Sequence, residues 1–370
     1  MKRIYLDYAA TTPVDKEVLE VMLPFFTEQF DNPSALYSQK VKYELENARK
    51  QVANAVGAKP SEIIFTSGGT EANNLAIFGY ARQFEKAHFI TSEIEHDSVL
   101  EAFHQLEKEG HEITYLKVDR SGRISLEELE KAITAETKLI SIMTVNNEIG
   151  TIQDIEGISK IARSHEVLFH TDAVQAVGQI EVKASMADMI SLSGHKLYGP
   201  KGAGALYVDK SVKLKPLFWG GHQESGKRSG TENVPGIVAL GYAVEQAIRY
   251  MPERLIHQEE LGEHIMKELS GQEGFYLNGD VKRKSSAIYH YSIADVSTEA
   301  LLTMLNLKGV SISGGSACQA GSYRVSHVMK ALKDKPENAH LRISIGKNTT
   351  MEEIQEFLTI LKAVVSGLRK

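Results

Sequence analysis

The chain has 370 residues, 42% of them hydrophobic and 24% charged, with a formal net charge of −6. That composition suits a soluble globular protein long enough for one large core and a second, smaller one. The net negative charge argues against direct binding to nucleic acid or an anionic membrane, and no apolar run approaches the roughly 18 residues of a spanning helix. The start, from Met1 to Tyr8, places an acid (Asp7) where a secretory signal would keep its apolar stretch, so a cytoplasmic location is expected. Short β-rich runs follow at 62–66, 87–91, 112–118, 138–145, 167–171, 189–193 and 204–208. Amphipathic stretches lie between several of them. The run 98–109 gathers Val99, Ala102, Phe103 and Leu106 on one face, and 125–133 has the same character. This alternation predicts an α/β fold, with a largely parallel sheet covered by helices on both faces. Ligands in such sheets collect outside the carboxyl ends of the strands.

A polar, glycine-rich stretch at 220–230 is followed by helical patterns at 233–249 and 254–270. The last hundred residues read as strand 287–291, helix 298–307 and strand 310–313, then a loop and a helix, strand 341–345 and helix 350–368. They predict a smaller α+β domain, with a hinge near Pro252. The division expected is a large domain over 15–252 and a small one made of 1–14 with 253–370. Cys318 is the one cysteine, which excludes an intrachain disulfide and a cysteine-based zinc site. The thirteen histidines show no metal-ligand spacing.

Four segments carry chemistry. In Thr66–Asn74 a strand gives way to a helix through Gly68, Gly69 and Thr70, whose free backbone N–H groups suit an anion. Taken alone, the segment reads equally as a glycine-rich turn with a hydroxyl cap. In His170–Gln175, Asp172 sits where an apolar strand leaves the sheet. A carboxylate buried there costs several kcal/mol without a cationic partner, although a helix-capping aspartate is the plainer reading. In Ser191–Gly202, Lys196 stands just past a strand among hydroxyls and an imidazole. A lysine in a partly desolvated pocket loses its proton readily and becomes a Schiff-base nucleophile. Cys318 lies in Ser311–Ser322, among small and flexible residues with no apolar face to claim it as a core side chain.

With these segments the sequence resembles the fold-type I pyridoxal 5'-phosphate (PLP) enzymes, and among them the cysteine desulfurases of the nitrogen-fixation and iron–sulfur assembly type. The resemblance spans nearly the whole chain. It rests on Tyr5–Pro13, Asn32–Ser34, Gly68–Glu71, Glu95-His96, Val145–Gly150, the Asp172 and Lys196 segments, Arg228–Thr231, Ser316–Cys318 and Leu341-Arg342. It implies a large domain with a mostly parallel seven-stranded sheet, and the removal of sulfur from L-cysteine to leave L-alanine and a persulfide on Cys318. Lys196 would bond the cofactor, Asp172 would pair with its ring nitrogen, and Gln175 would meet its phenolic oxygen. His96 would stack on the ring and move protons, while Asn147 orients the cofactor. Gly69, Thr70, Ser193 and His195 would hold the phosphate, with Thr231 of a second subunit in a homodimer. Arg342 and Asn32 would receive the substrate carboxylate, a role that suits the planar fork of arginine. The implied partner is a protein sulfur acceptor, either an iron–sulfur scaffold or a tRNA-thiolation enzyme. A selenocysteine lyase or another aminotransferase-like PLP enzyme is the alternative, and a transaminase would have no use for Cys318. Tyr37 departs from the family pattern, standing where a histidine is usual.

Overall fold

Side chains that alternate between two covered faces build the centre of the molecule. The computed structural model describes residues 3–315, 325–335 and 337–369. Its strands are β1 (Ile4–Tyr5), β2 (Ile63–Thr66), β3 (His88–Ser92), β4 (Glu112–Leu116), β5 (Thr137–Ser141), β6 (Leu168–Asp172), β7 (Met189–Ser193), β8 (Gly204–Val208), β9 (Phe275–Asn278), β10 (Ile288–Ile293), β11 (Val310–Ser311) and β12 (Ala339–Ser344). Seven form one sheet in the order β2-β8-β7-β6-β5-β3-β4. All of its pairings are parallel except those of β8, which runs antiparallel to β2 and β7.

Successive side chains of a strand point to opposite faces. Ile63, Phe65, Ile90, Ile140, Phe169 and Ile190 therefore pack on one face, with helices Gln39–Val56 and Val234–Arg249. Ile64, Phe89, Leu139, Met189 and Leu206 pack on the other, with helices Gly69–Ala81 and Asp97–Lys108. With both faces covered, the strands are apolar along most of their length. The two helices of the first face approach closely at Gly241, where a Cβ would stand 2.6 Å from Ala48 Cα.

The smaller sheet is antiparallel, in the order β12-β10-β9. Its core takes Tyr291, Leu301, Leu341 and Phe357, and also Ile4 and Leu6 from the chain's start, where β1 pairs in parallel with β11. The expected hinge near Pro252 is not a loop. Helices Val234–Arg249 and Met251–Leu269 are separated by Tyr250 alone, and Pro252 sits in the first turn of the second, where its missing N–H costs nothing. Past Leu6 the chain crosses to the large sheet. Ala9 N donates to Ser344 Oγ at 3.0 Å, Thr12 N to the His195 carbonyl at 2.9 Å, and Asp15 N to the Tyr198 carbonyl at 3.0 Å. Residues 7–15 thus tie the small sheet to the segment that carries Lys196.

Candidate active site

Because β2, β3, β5, β6 and β7 all run in one direction, their carboxyl ends share one edge. A cavity of about 1000 Å³ opens there. Gly69 and Thr70 reach it from the end of β2, His96 from β3, Asn147 from β5, Asp172 and Gln175 from β6, and Ser193, His195 and Lys196 from β7, while Arg342 enters from β12.

Helix Gly69–Ala81 begins at this edge with no side chain capping its first turn. Beside it the buried Ser193 hydroxyl has no hydrogen-bond partner among the described residues. A Cβ on Gly69 would stand 2.8 Å from Val174 Cγ2, so the backbone itself faces the cavity there. Asp172 is 7% exposed. Its Oδ1 accepts from Val174 N at 2.9 Å and its Oδ2 from Asn73 Nδ2 at 2.7 Å. Among the described residues no cation pairs with it.

Lys196 Nζ donates to the carbonyls of Ala9 and Ala10, the latter at 2.8 Å. Burial, and then the positive charge of Arg342, lower its pKa from 10.5 to about 8, against an upward pull from Asp7 and Asp172. Depression alone does not single out this lysine. Burial takes Lys284 down to about 7, yet its Nζ stands 3.2 Å from the centre of the Tyr289 ring, outside this cavity. His195 is lowered to about 4, first by burial and then by Lys196, Lys201 and His96, so its imidazole is neutral near pH 7. Its Nδ1 lies 3.2 Å from Thr11 Oγ1.

His96 is both a helix cap and a cavity residue. It caps helix Asp97–Lys108, with Nδ1 accepting from Ser98 N at 3.1 Å, and its ring lines the cavity. Arg342 is buried. Its Nη2 pairs with Asp7 Oδ1 at 2.7 Å, its Nη1 donates to the Asn147 carbonyl at 3.0 Å, and its Nε has no partner among the described residues. Gln175 donates to the Ala9 carbonyl at 2.9 Å.

The aminotransferase class-V family profile matches residues 4–357. Cysteine desulfurase IscS of Dictyoglomus turgidum is 47% identical over 379 residues, covering 100% of this chain and 96% of the relative. A solved NifS-like protein is 36% identical, with a TM-score of 0.93 over 99% of this chain and 100% of its own. SspA, solved in complex with cysteine, is 41% identical, with a TM-score of 0.83 over 94% and 99%. The chain belongs to the aminotransferase class-V family. It is a PLP-dependent enzyme of the IscS and NifS kind.

The residues present fit the family's cofactor. The open helix start and the orphaned Ser193 hydroxyl suit a dianionic phosphate. A buried carboxylate without a cation suits a protonated ring nitrogen. An amine near its titration point suits covalent attachment. Two expected residues are not brought here. Asn32 is exposed, with Oδ1 accepting from Ser34 N at 2.9 Å, and Thr231 is exposed as well; neither lines the cavity. Thr231 was expected to serve the site of a second subunit, not this chain's own cavity. Cys318 lies outside the described residues.

Sequence reasoning passed over Asp7, Asn73 and Glu95. Asn73 donates to both Asp172 and Ser98, and it sits two residues after the Gly-Gly-Thr-Glu run, the one signal that could have marked it. Glu95, fully buried, accepts from Ser92 Oγ at 2.6 Å and Met143 N at 2.9 Å, and burial raises its pKa to about 8. His170, by contrast, is a satisfied core histidine, held between the Ser141 and Ser191 hydroxyls at 2.8 and 2.9 Å.

Proposed function

We propose that the protein is a cysteine desulfurase that takes sulfur from L-cysteine, releases L-alanine and holds the sulfur as a persulfide on Cys318. One observation carries the reading. A lysine with a pKa of about 8 faces the same cavity as an uncapped helix start, a cation-free buried aspartate and a buried arginine. PLP bound there supplies an electron sink for charge developing at the substrate Cα. Every other role falls to the chain. Gly69, Thr70, Ser193 and His195 hold the phosphate, Asp172 keeps the ring nitrogen protonated, and Asn147, Gln175 and His96 fix the ring. Neutral Lys196 removes and returns the proton at Cα. Arg342 receives the substrate carboxylate. The Cys318 thiolate attacks the substrate sulfur: an S–S bond forms, the C–S bond breaks, and its electron pair stays on carbon, which is protonated to give alanine.

In this reading residues 15–252 form the large domain, and 1–14 with 253–370 the small one. A homodimer places Thr231 in the second subunit's site. Phe30, Leu36 and Tyr37, exposed by 72, 88 and 76%, support such an association. The persulfide then passes, in the cytoplasm, to an iron–sulfur scaffold or a tRNA-thiolation enzyme. Among the described residues no helix is long and apolar enough to cross a membrane. The deciding experiment is Cys318→Ala. The variant should bind PLP and L-cysteine but release no alanine, and mass spectrometry of wild type after brief exposure to cysteine should find one added sulfur on the Cys318 peptide. Alanine release at the wild-type rate would refute the reading.

A further inference from the structure

Behind the Lys196 segment lies a second cavity, of about 250 Å³, bounded by Leu197, Tyr198, Ala247 and Tyr250. It is separate from the cofactor cavity, and one basic side chain in its wall is out of balance. Arg254 is 8% exposed and lines this space. Among the described residues its guanidinium makes one hydrogen bond, from Nη2 to the Ala247 carbonyl, and its Nε is buried with no partner. No described carboxylate lies within ion-pair distance of it. Asp15, the acid of this cavity that could serve, is paired with Lys347. Glu253, next in the chain, is exposed, and water screens its charge. His257 is occupied, since its Nε2 donates to the Thr349 carbonyl at 2.8 Å.

An arginine in this state is costly. A buried charge with no carboxylate in ion-pair contact is destabilising, and burial lowers the pKa of Arg254 against a smaller upward pull from Tyr198 and Asp15. The guanidinium has N–H groups left over in a planar fork that matches a carboxylate. Beside the polar and charged residues of the wall, Leu197, Ala243, Ala247, Tyr198 and Tyr250 form an apolar and aromatic part, which suits a short hydrocarbon portion. We propose that this cavity is a binding site for a small monocarboxylate, held by Arg254 and distinct from the site at Arg342. Tyr198, two residues from Lys196, forms part of its wall and accepts from Lys347 N at 2.7 Å, so an occupant would touch the support of the catalytic lysine.

The test uses propionate and the PLP-loaded enzyme. An Arg342→Gln background removes the other carboxylate receptor, and calorimetric titration should then show one propionate bound per chain. Adding Arg254→Gln should abolish that binding. Gln246→Glu, which leaves Arg254 in place and puts a competing carboxylate in the same wall, should abolish it too. If Arg254→Gln fails to fold, the Gln246→Glu titration is decisive by itself. At a hundred times its dissociation constant, propionate should also raise the Tm of the Arg342→Gln protein by about 3 °C. No binding in the Arg342→Gln protein, or binding that survives either added change, overturns the proposal.

Discussion

Cofactor capture by the cofactor-free protein should titrate with Lys196. The nucleophile is the neutral amine. With a pKa of about 8 in place of 10.5, the neutral fraction at pH 7 is about one in ten rather than about one in three thousand, a gain of about 300-fold. The difference, 10.5 − 8 = 2.5, is set first by burial and then by Arg342, with Asp7 and Asp172 opposing. The sign of each substitution follows. Asp7→Asn removes a negative charge that favours the ammonium, so the pKa should fall and capture should gain rate at low pH. Arg342→Gln removes a positive charge that disfavours it, so the pKa should rise and the profile should move to higher pH. The assay mixes cofactor-free protein with PLP from about pH 6 to about pH 12, roughly the span that brackets both values, and follows the absorbance of the bound cofactor. Borohydride reduction and peptide mapping then locate the label. A wild-type midpoint near 10.5, shifts of the reverse sign in the two variants, or a label on Lys284 would each refute the reasoning.

Arg342→Ala should raise KM for L-cysteine by at least about tenfold while PLP affinity holds, because the substrate carboxylate loses a charge-assisted bond; steady-state kinetics beside a PLP titration checks the split. Asn73→Ala deprives buried Asp172 Oδ2 of its donor, and should lower PLP affinity by about one to three kcal/mol, read as a fluorescence titration of the cofactor-free protein. Glu224→Ala removes the buried carboxylate that Arg49 binds at 2.7 and 2.8 Å, leaving Arg49 with Glu46 and the Ile63 carbonyl, and should cost about 1–3 kcal/mol in a urea melt. Gly241→Ala forces a methyl against Ala48 and should cost about 1–3 kcal/mol by the same melt, with the activity per folded molecule unchanged.

Where the signal was local, the sequence was enough. Strands β7 and β8 lie at the residues that the apolar runs marked, the other marked strands differ by a few residues at their ends, and β1 and β9 were not marked. A buried parallel strand announces itself as a short apolar run between turn formers. Gly69, Asp172 and Lys196 were legible for a related reason: each lies at or just past the end of a strand, and in an α/β sheet that alone predicts which edge it will share. Other parts depended on contacts far apart in the chain. Ile4 and Leu6 form no pattern of their own, and only their packing against residues 261–365 puts them in the smaller core. The Asp7–Arg342 pair joins positions 335 residues apart. Both the chemistry of Lys196 and the unmatched charge of Arg254 are of this second kind. The sequence supplied a lysine after a strand and an arginine on a helix. Which charges stand near them, and how much water is excluded, is decided when distant segments close around them, because desolvation and Coulomb interactions depend on distance in space and not along the chain.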